Sequence, residues 1–422
     1  MKGKQLYSSL TLIVFLIAFG LQAQELKQSL RLQQDSAFQA FLKVMETEAL
    51  ERQESWKKQL DSIHPDSLTV LDGQKMKLSQ LPDIDRFKRI KAIRLQQNEL
   101  EYLPSALLKS DSLKRIHLDQ NHFSKLRFSA NLNVEVLTLH SNKFRKIPRS
   151  IRKLSNLKIL DLENNKISRI PRFIGKMDSL EELNLNFNQL KLTKKSIKRL
   201  SKIKKLSVGG NKIKDLPKNI GELASTTHLN LGKNQLQQLP PSFAKLKKLE
   251  QIICYGNDFK QFPEEILQLT ELQEIDFYYN KLTTLPDGMG SLTELKRLFL
   301  SYNQIEKLPD DLAKLSNLTY LYVHNNKLPV FPDWIARSTT LQRVGLGKNR
   351  IINLPDLSAM ISLTDLDVQG NLIDRFPWEL LNKQGMKLLI IKDNAFRLNE
   401  TDRAELKSRE AELKSRDFVI VY

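Results

Sequence analysis

The sequence predicts an α/β solenoid, a fold in which short strands stack side by side along one axis. Three observations predict it. A repeat of about 23 residues runs through most of the chain, each copy alternates apolar and polar residues, and most copies carry a proline at one fixed place. One copy has too little apolar surface to form a core alone, so neighbouring copies must stack into one continuous core.

An asparagine marks each copy of the repeat. Successive asparagines lie 23 residues apart, except for one spacing of 21 and one of 22. Each closes a block such as LKILDLENN at 157–165, in which leucines alternate with polar residues as in a half-buried strand. The asparagine side chain can bond backbone groups where the strand turns outward. The fourteen are Asn98, Asn121, Asn142, Asn165, Asn188, Asn211, Asn234, Asn257, Asn280, Asn303, Asn326, Asn349, Asn371 and Asn394.

A hydrophobic residue followed by proline marks the segment that returns after most strands, as in Leu216-Pro217 and Leu285-Pro286. Twelve of the 15 prolines occupy this place. Proline fixes the backbone of the returning segment and ends strand pairing. The stretches 126–133 and 190–197 lack it, so the register of the outer surface stays open there.

These blocks resemble the leucine-rich repeat family in its 23-residue form, LxxLxLxxNxLxxLPxxIxxLxx. The form is similar to the repeats of Ras-pathway scaffolds and of plant disease-resistance-type proteins, and the resemblance covers about residues 68–400. It implies a horseshoe with a parallel concave sheet and, in most relatives, a role in binding other proteins. With its N-terminal targeting segment, the chain looks like an exported, bacterial-like member.

Both ends of the repeat array are predicted to be capped. Residues 24–67 form a helical N-terminal cap, because Trp56, Leu60 and other apolar residues recur at helical spacing. Residues 401–422 form a C-terminal cap of one helix followed by the short apolar strand 418–422. The caps cover the apolar surface that the first and last repeats leave open.

Residues 1–23 are predicted to be a cleavable signal peptide. Lys2 and Lys4 precede the apolar run 10–21, which is shorter than the ~20 residues that span a bilayer. Cleavage is expected after Ala23. The chain is then secreted, periplasmic or held at the cell surface, and an uncleaved N-terminal anchor is the alternative.

Composition narrows the function classes. The chain has 422 residues with 67 Lys and Arg against 48 Asp and Glu, hence a formal charge of +19. Its apolar content is that of a globular protein, which excludes wholesale disorder and a multi-span membrane protein. The single cysteine, Cys254, excludes a disulfide framework and thiolate zinc sites, and its place in the repeat predicts a buried, inert thiol.

The positive charge is concentrated in residues 143–220, which contain 22 Lys and Arg but six Asp and Glu. This segment predicts an alternative function, docking onto an anionic surface such as lipid headgroups, an acidic glycan or another polyanion. A solvated surface that keeps the protein soluble explains the same charge. Nucleic acid is an unfavoured partner, because no aromatic residues are interleaved for base stacking.

No cofactor, metal or enzymatic activity is predicted. The sequence has no glycine-rich phosphate loop, paired catalytic carboxylates or nucleophile elbow. A weaker alternative is a hydrolase that uses Asp119, His140 and Glu163, which lie at one position of three neighbouring strands. Parallel strands spread such side chains along an open wall, which favours a solvated polar row.

The sharpest functional feature is an aromatic patch on the predicted concave face. Aromatic residues occupy concave positions of four consecutive repeats, with a histidine beside them. Aromatic pairs on adjacent strands stabilise a sheet by about 0.2–1 kcal/mol each, yet a confined cluster with a polar rim is typical of a binding hot spot. The sequence therefore predicts a monomeric, non-enzymatic protein that binds a protein or peptide ligand, and a glycan ligand stays open. The predicted site is Tyr255, Tyr278, Tyr279, Phe299, Tyr302, Tyr320, Tyr322 and His324.

Overall fold

One parallel sheet runs the length of the repeat array in this computed structural model. The structure describes residues 36–422, apart from 106, 110, 130 and 131, so the predicted signal peptide lies outside the described residues. In the described part, sixteen strands pair strictly in chain order, each with the next. The predicted α/β solenoid is confirmed.

Each strand is three residues long. The strands are β1 Val70–Asp72, β2 Ala92–Arg94, β3 Arg115–His117, β4 Val136–Thr138, β5 Ile159–Asp161, β6 Glu182–Asn184, β7 Lys205–Ser207, β8 His228–Asn230, β9 Gln251–Ile253, β10 Glu274–Asp276, β11 Arg297–Phe299, β12 Tyr320–Tyr322, β13 Arg343–Gly345, β14 Asp365–Asp367, β15 Leu388–Ile390 and β16 Val419–Val421. Strands β2–β15 belong to the fourteen asparagine-marked repeats, and β1 and β16 flank them.

The period of the repeat is also the register of the sheet. Ile275 of β10 pairs with Ile252 of β9 and with Leu298 of β11, each 23 residues away. All three are fully buried, whereas the first and third residues of these strands are partly exposed. The middle residues therefore build the core, and the flanking residues form rows across the concave face.

Short helical turns line the convex side. The α-helices are α1 Ser36–Ser62, α2 Lys194–Leu200, α3 Asp333–Ala336, α4 Trp378–Leu381 and α5 Glu400–Ser415. The 3₁₀ helices are Leu107–Lys109, Arg149–Lys153, Arg172–Lys176, Ile220–Glu222, Pro241–Lys245, Glu264–Gln268, Met289–Ser291 and Asp310–Lys314. A repeat proline such as Pro148 or Pro263 directly precedes several of these turns. Where the proline is missing, Thr193 begins α2 instead through a capping box with Ser196.

The repeat asparagines hold the turns after the strands, as predicted. Asn257 donates from Nδ2 to the carbonyl oxygens of Leu231 (3.0 Å) and Cys254 (2.9 Å). Its Oδ1 accepts from the backbone N–H of Leu236 at 3.0 Å. One side chain thus satisfies three buried backbone groups and joins two repeats, and the other asparagines repeat this pattern.

The helix and the helix-plus-strand predicted at the two ends are present. Trp56 of α1 is buried, and its ring lies so close to Gly73 that a Cβ there would approach it to 2.9 Å. At the other end, Leu406 and Leu413 of α5 are buried beside β16. Over the part of the chain that the structure describes, no helix has the length and apolar character needed to cross a membrane.

Candidate functional site: an aromatic patch on the concave face

The predicted aromatic residues lie on and directly after strands β9 to β12. Phe299, Tyr320 and Tyr322 belong to strands, whereas the other five follow the strand ends, where the chain turns outward. Seven of the eight are partly exposed, and Tyr279 is 52% exposed. All eight side chains are therefore accessible to a ligand, and we call this set the aromatic patch.

Three tyrosines form the first cluster of the aromatic patch. The rings of Tyr279 and Tyr302 stack with their centroids 4.3 Å apart and an interplanar angle of 16°. The Tyr278 ring meets both edge-on, at 4.7 Å from Tyr279 and 5.1 Å from Tyr302. These separations are within the range at which aromatic pairs attract.

A second stack of rings lies on the ends of strands β11 and β12. Phe299 and Tyr322 are 5.5 Å apart and nearly parallel, and His324 continues the stack at 5.9 Å from Tyr322. The structure thus brings six of the eight predicted residues into two ring clusters. It places the other two against cations, with Lys233 Nζ 5.8 Å from the Tyr255 ring centre and the Arg343 guanidinium 5.4 Å from that of Tyr320.

Glycines border the aromatic patch on both sides. A Cβ on Gly232 would lie 2.4 Å from the Tyr255 ring, and one on Gly345 would lie 1.9 Å from the His324 ring. Each ring therefore fills the space beside the neighbouring repeat that a larger side chain in place of the glycine would occupy. The Tyr255 ring leans towards Gly232 because the glycine leaves this space empty. As a result, the ring contacts among the described residues do not include one between Tyr255 and Tyr278.

The two stacked tyrosines adopt an uncommon backbone conformation. In all fourteen repeats the residue before the asparagine has a left-handed φ of +49° to +66°. Glycine fills this position in repeats such as those of Gly210 and Gly256, and small polar or flexible residues fill most others. Tyr279 (φ +54°) and Tyr302 (φ +57°) place bulky rings where the backbone disfavours them. Such strain is concentrated at functional sites.

One carboxylate beneath the patch has no cation beside it. Asp276 Oδ1 accepts from the backbone N–H of Tyr278 at 2.8 Å, and the ion pairs of the described residues do not include Asp276. Burial, reinforced by the charge of Glu274, raises the pKa of Asp276 to about 6. Burial and the nearby Asp276 also raise the pKa of Tyr255. At neutral pH the patch therefore contains a half-buried negative charge without a counter-ion.

The other acidic groups around the patch are paired. Glu274 binds Arg297, and Asp367 accepts from Nε2 of His324 at 3.0 Å. Burial opposes ionisation of Asp367, but the hydrogen bonds from His324 and the Gln369 backbone outweigh it and lower its pKa. Asp276 thus differs from Glu274 and Asp367, because no cationic or histidine side chain pairs with it among the described residues.

One aromatic residue was missed from the sequence. Phe187 is 40% exposed and occupies the same left-handed position as Tyr279, four repeats earlier. Lys233 Nζ lies 5.5 Å from its ring centre and therefore bridges Phe187 and Tyr255. Reading the position before each asparagine as one row would have found it.

Asp119, His140 and Glu163, the polar row considered as a weaker alternative site, use their polar groups in hydrogen bonds within the protein. Asp119 accepts from Thr138 Oγ1 at 2.6 Å and from the backbone N–H of His140 at 3.0 Å. Glu163 accepts from Asn184 Nδ2 at 2.9 Å. Within the described residues, no group of three acidic, His or Cys side chains could hold a metal ion.

Cys254 is fully buried, as its place in the repeat predicts, and burial raises the pKa of its thiol well above the usual value. The thiolate, which is the reactive form, is therefore strongly disfavoured.

The architecture and the patch together define a solenoid whose open concave face carries exposed aromatic rings. Family models described as leucine-rich repeat match residues 132–190 and 270–328, and one described as leucine-rich repeat region matches 187–282. A search of curated proteins finds no match. Leucine-rich repeats therefore run through residues 132–328, as the resemblance implied.

Solved structures share the same architecture. A leucine-rich repeat protein of Leptospira interrogans is similar at a TM-score of 0.73 and 24% identity, covering 87% of this chain and 98% of its own. The leucine-rich effector YopM of Yersinia pestis is similar at 0.58 and 24%, covering 84% and 95%. A plant peptide hormone receptor in complex with its peptide is similar at 0.51 and 26%, covering 77% of this chain and 50% of the receptor. The fold is commonly used for protein–protein interaction, and proteins of the family are generally non-enzymatic.

Proposed function

We propose that this protein binds a protein or peptide partner through the aromatic patch and acts by binding, not by catalysis. The observation that carries the proposal is the stacked pair Tyr279 and Tyr302, held in left-handed backbone. Ring stacking alone does not require that position, since Tyr322 stacks on Phe299 from within the strands. Exposed rings that are kept in spite of backbone strain are typical of a binding surface.

We further propose that the partner presents a positively charged side chain to Asp276. That carboxylate lies beside Tyr255 and Tyr278, and tyrosine faces attract cations. A lysine or arginine of the partner would supply the counter-ion that Asp276 lacks while its stem lies along the rings. The existing contacts of Lys233 and Arg343 with rings of the patch use the same chemistry.

The test is cross-linking from within the patch. A photoreactive amino acid replaces Tyr279, and the partner is captured from cells that make the protein and is identified by mass spectrometry. The matched control carries the same residue in place of Tyr102, which is 60% exposed and lies outside the patch. The proposal predicts a partner that cross-links at 279 and not at 102.

Competition and salt sharpen that result. The captured partner should be displaced by excess unlabelled protein, but not by a variant carrying Tyr279→Ser, Tyr302→Ser and Tyr322→Ser together. Contacts made by buried rings should persist at moderate salt, whereas purely electrostatic docking should weaken steeply. Equal cross-linking at 102 and 279, removed by salt, would contradict the proposal.

We also propose that the chain is exported, because residues 1–23 have the pattern of a signal peptide. N-terminal sequencing of protein made in its native cells tests this. The expected first residue is Gln24, whereas a chain that begins at Met1 and is found in the cytoplasm would refute it.

A further inference from the structure

A cleft of about 890 Å³ lies on the convex surface, between the segments that follow β4, β5 and β6. Ile147, Ile170, Pro171 and Phe173 form its apolar part. Its size is that of many ligand sites, which are ~300–1,000 Å³. All of its charged lining residues are basic, and they are Lys146, Arg149, Arg152, Arg169, Arg172, Lys176 and Arg199. We call this feature the basic cleft.

The missing proline of one repeat shapes the basic cleft. In that repeat α2 replaces the usual 3₁₀ turn and packs against the turn that contains Gly175. A Cβ on Gly175 would lie 3.1 Å from the Arg199 Cα, so glycine allows this close approach. Arg199 then donates from Nη1 to the Ile170 carbonyl oxygen, which fixes its guanidinium at the wall of the cleft.

The charge of the basic cleft is not neutralised by the protein. Among the residues that the structure describes, the ion pairs include none of the seven cations. Acidic residues of the same stretch of chain pair with other lysines: Asp178 with Lys202, Glu181 with Lys204 and Glu182 with Lys205. Glu163 is on the concave side, where it binds Asn184. The seven cations therefore repel one another unless an anion enters.

We propose that the basic cleft binds a linear acidic polysaccharide, with the carboxylate or sulfate groups of successive sugars on its arginines. The repeat places Arg149 and Arg172 at equivalent positions one turn apart, and Lys146 and Arg169 likewise. This spacing matches a ligand whose charges recur along a chain. Guanidinium groups bind such oxyanions with two parallel hydrogen bonds, and the half-buried Phe173 offers a face for a sugar ring.

A lipid surface fits these observations less well. Binding in the plane of a bilayer combines basic residues with apolar side chains that insert beneath the headgroups. Between residues 143 and 220, the one large hydrophobic side chain that is clearly exposed in the structure is Phe187, which belongs to the concave side. The cations also line a cleft between successive repeats and are not spread over a flat surface.

The experiment measures binding of heparin, a sulfated linear polysaccharide, to the full chain by calorimetry. The cleft variant carries Arg149→Gln, Arg169→Gln and Arg172→Gln. The control variant carries Lys166→Gln, Lys191→Gln and Lys214→Gln, three exposed lysines of the same segment that do not line the cleft. Both variants lose the same charge, and circular dichroism must show equal folding. Vesicles of anionic phospholipid and duplex DNA are tested in parallel.

The cleft variant should bind heparin at least about tenfold more weakly, and the control variant should lose no more than about threefold. Arg172→Lys keeps the charge but not the paired hydrogen bonds, and should weaken binding by a few fold. Equal losses in the two triple variants would overturn the proposal, because net charge alone would then explain binding. A cleft variant that loses vesicle or DNA binding but retains heparin binding would overturn it as well.

Discussion

The two halves of the concave sheet use the same backbone positions in different ways. In the first half, Asp119 accepts from Thr138 and from the His140 backbone, and Glu163 accepts from Asn184, all on neighbouring repeats. In the second half, the positions of Asp119, His140 and Glu163 are taken by Tyr255 and Tyr278. Left-handed rings follow at the next position, and Asp276 lies beneath them without an ion pair among the described residues. Asp161, which holds the place of Asp276 in the first half, also has a pKa raised by burial, but it accepts from two donors, the Glu163 N–H and Asn184 Nδ2. Asp276 accepts only from the Tyr278 N–H among the described residues, so the second half is the less satisfied of the two. A ligand gains most where the free protein is unsatisfied, which is why we place the binding site in the second half.

The largest loss of stability should follow the substitution of a repeat asparagine. The loss should be the same in both halves, because the asparagines belong to the scaffold that the halves share. Asn165→Ala in the first half and Asn280→Ala in the second each leave several buried backbone groups without a partner. Each should lower the free energy of unfolding by about 3 kcal/mol. Urea unfolding measures this. A much smaller loss at Asn280 would mean that the second half is held by its rings instead.

Asp276 and Asp367 are the third residues of their strands, and replacing each by asparagine should change the free energy of unfolding at pH 7.5 in opposite directions. The folded-state pKa of Asp276 is raised to about 6, so its stabilising contribution is present in acid and is lost as the pH rises from about 4 through 6. Asp276→Asn should therefore raise the free energy of unfolding at pH 7.5 by about 1–3 kcal/mol and have little effect near pH 4. Asn230 shows that asparagine fits, since its Oδ1 accepts from the Gly232 N–H at 2.9 Å.

Asp367→Asn is the matched control for that measurement. The pKa of Asp367 is lowered, so its contribution is present above the pKa of the unfolded chain and is lost as the pH falls through the folded pKa. This variant should destabilise the protein at pH 7.5 and matter little in strong acid. Thermal unfolding at both pH values gives the sign for each variant. The same sign for both at pH 7.5 would contradict the contrast between a paired and an unpaired carboxylate.

A smaller effect tests how the rings are seated. Gly232→Ala would bring a Cβ to 2.4 Å from the Tyr255 ring and force the ring away from its strand. Overpacking of this kind should cost about 1–2 kcal/mol of stability, with a change in tyrosine fluorescence. Gly256→Ala is the control, because its Cβ would meet no atom closer than 3.4 Å although its φ is +65°. A ring displacement in the control alone would show that Tyr255 is not seated on Gly232.

The sequence predicted the scaffold and the rows because register follows directly from a constant period. The constant period of 23 residues places Tyr279 beside Tyr302 and Phe299 beside Tyr322, and both pairs stack in the structure. Row membership does not give the direction in which a ring leans, so the seating of Tyr255 over Gly232 was not foreseen. The direction depends on the empty space that a glycine leaves in a neighbouring repeat, and membership of a row does not show which side that space lies on.

The convex side was less predictable for a related reason. The charge of residues 143–220 is evident from the sequence, but a recess is not. The cleft depends on α2 replacing a 3₁₀ turn and on the closeness of Gly175 to Arg199. Both follow from local packing after the repeat pattern breaks. The missing proline predicts that the convex turn of this repeat differs from the others. The structure is needed to show that a helix takes its place and that a cleft forms beside it.

The smallest effect on stability should accompany the largest effect on binding. Tyr279→Gly with Tyr302→Gly removes a stacked pair worth about 0.5–1.5 kcal/mol but relieves two left-handed residues at roughly 1 kcal/mol each. The free energy of unfolding should therefore change by less than about 1 kcal/mol, while capture of the partner is lost. Phe187→Gly relieves one left-handed residue outside the patch without removing a ring stack among the described residues, and is the control. If the double variant unfolds far more easily and still binds its partner, the rings serve the sheet and the two halves of the concave face do not differ in function.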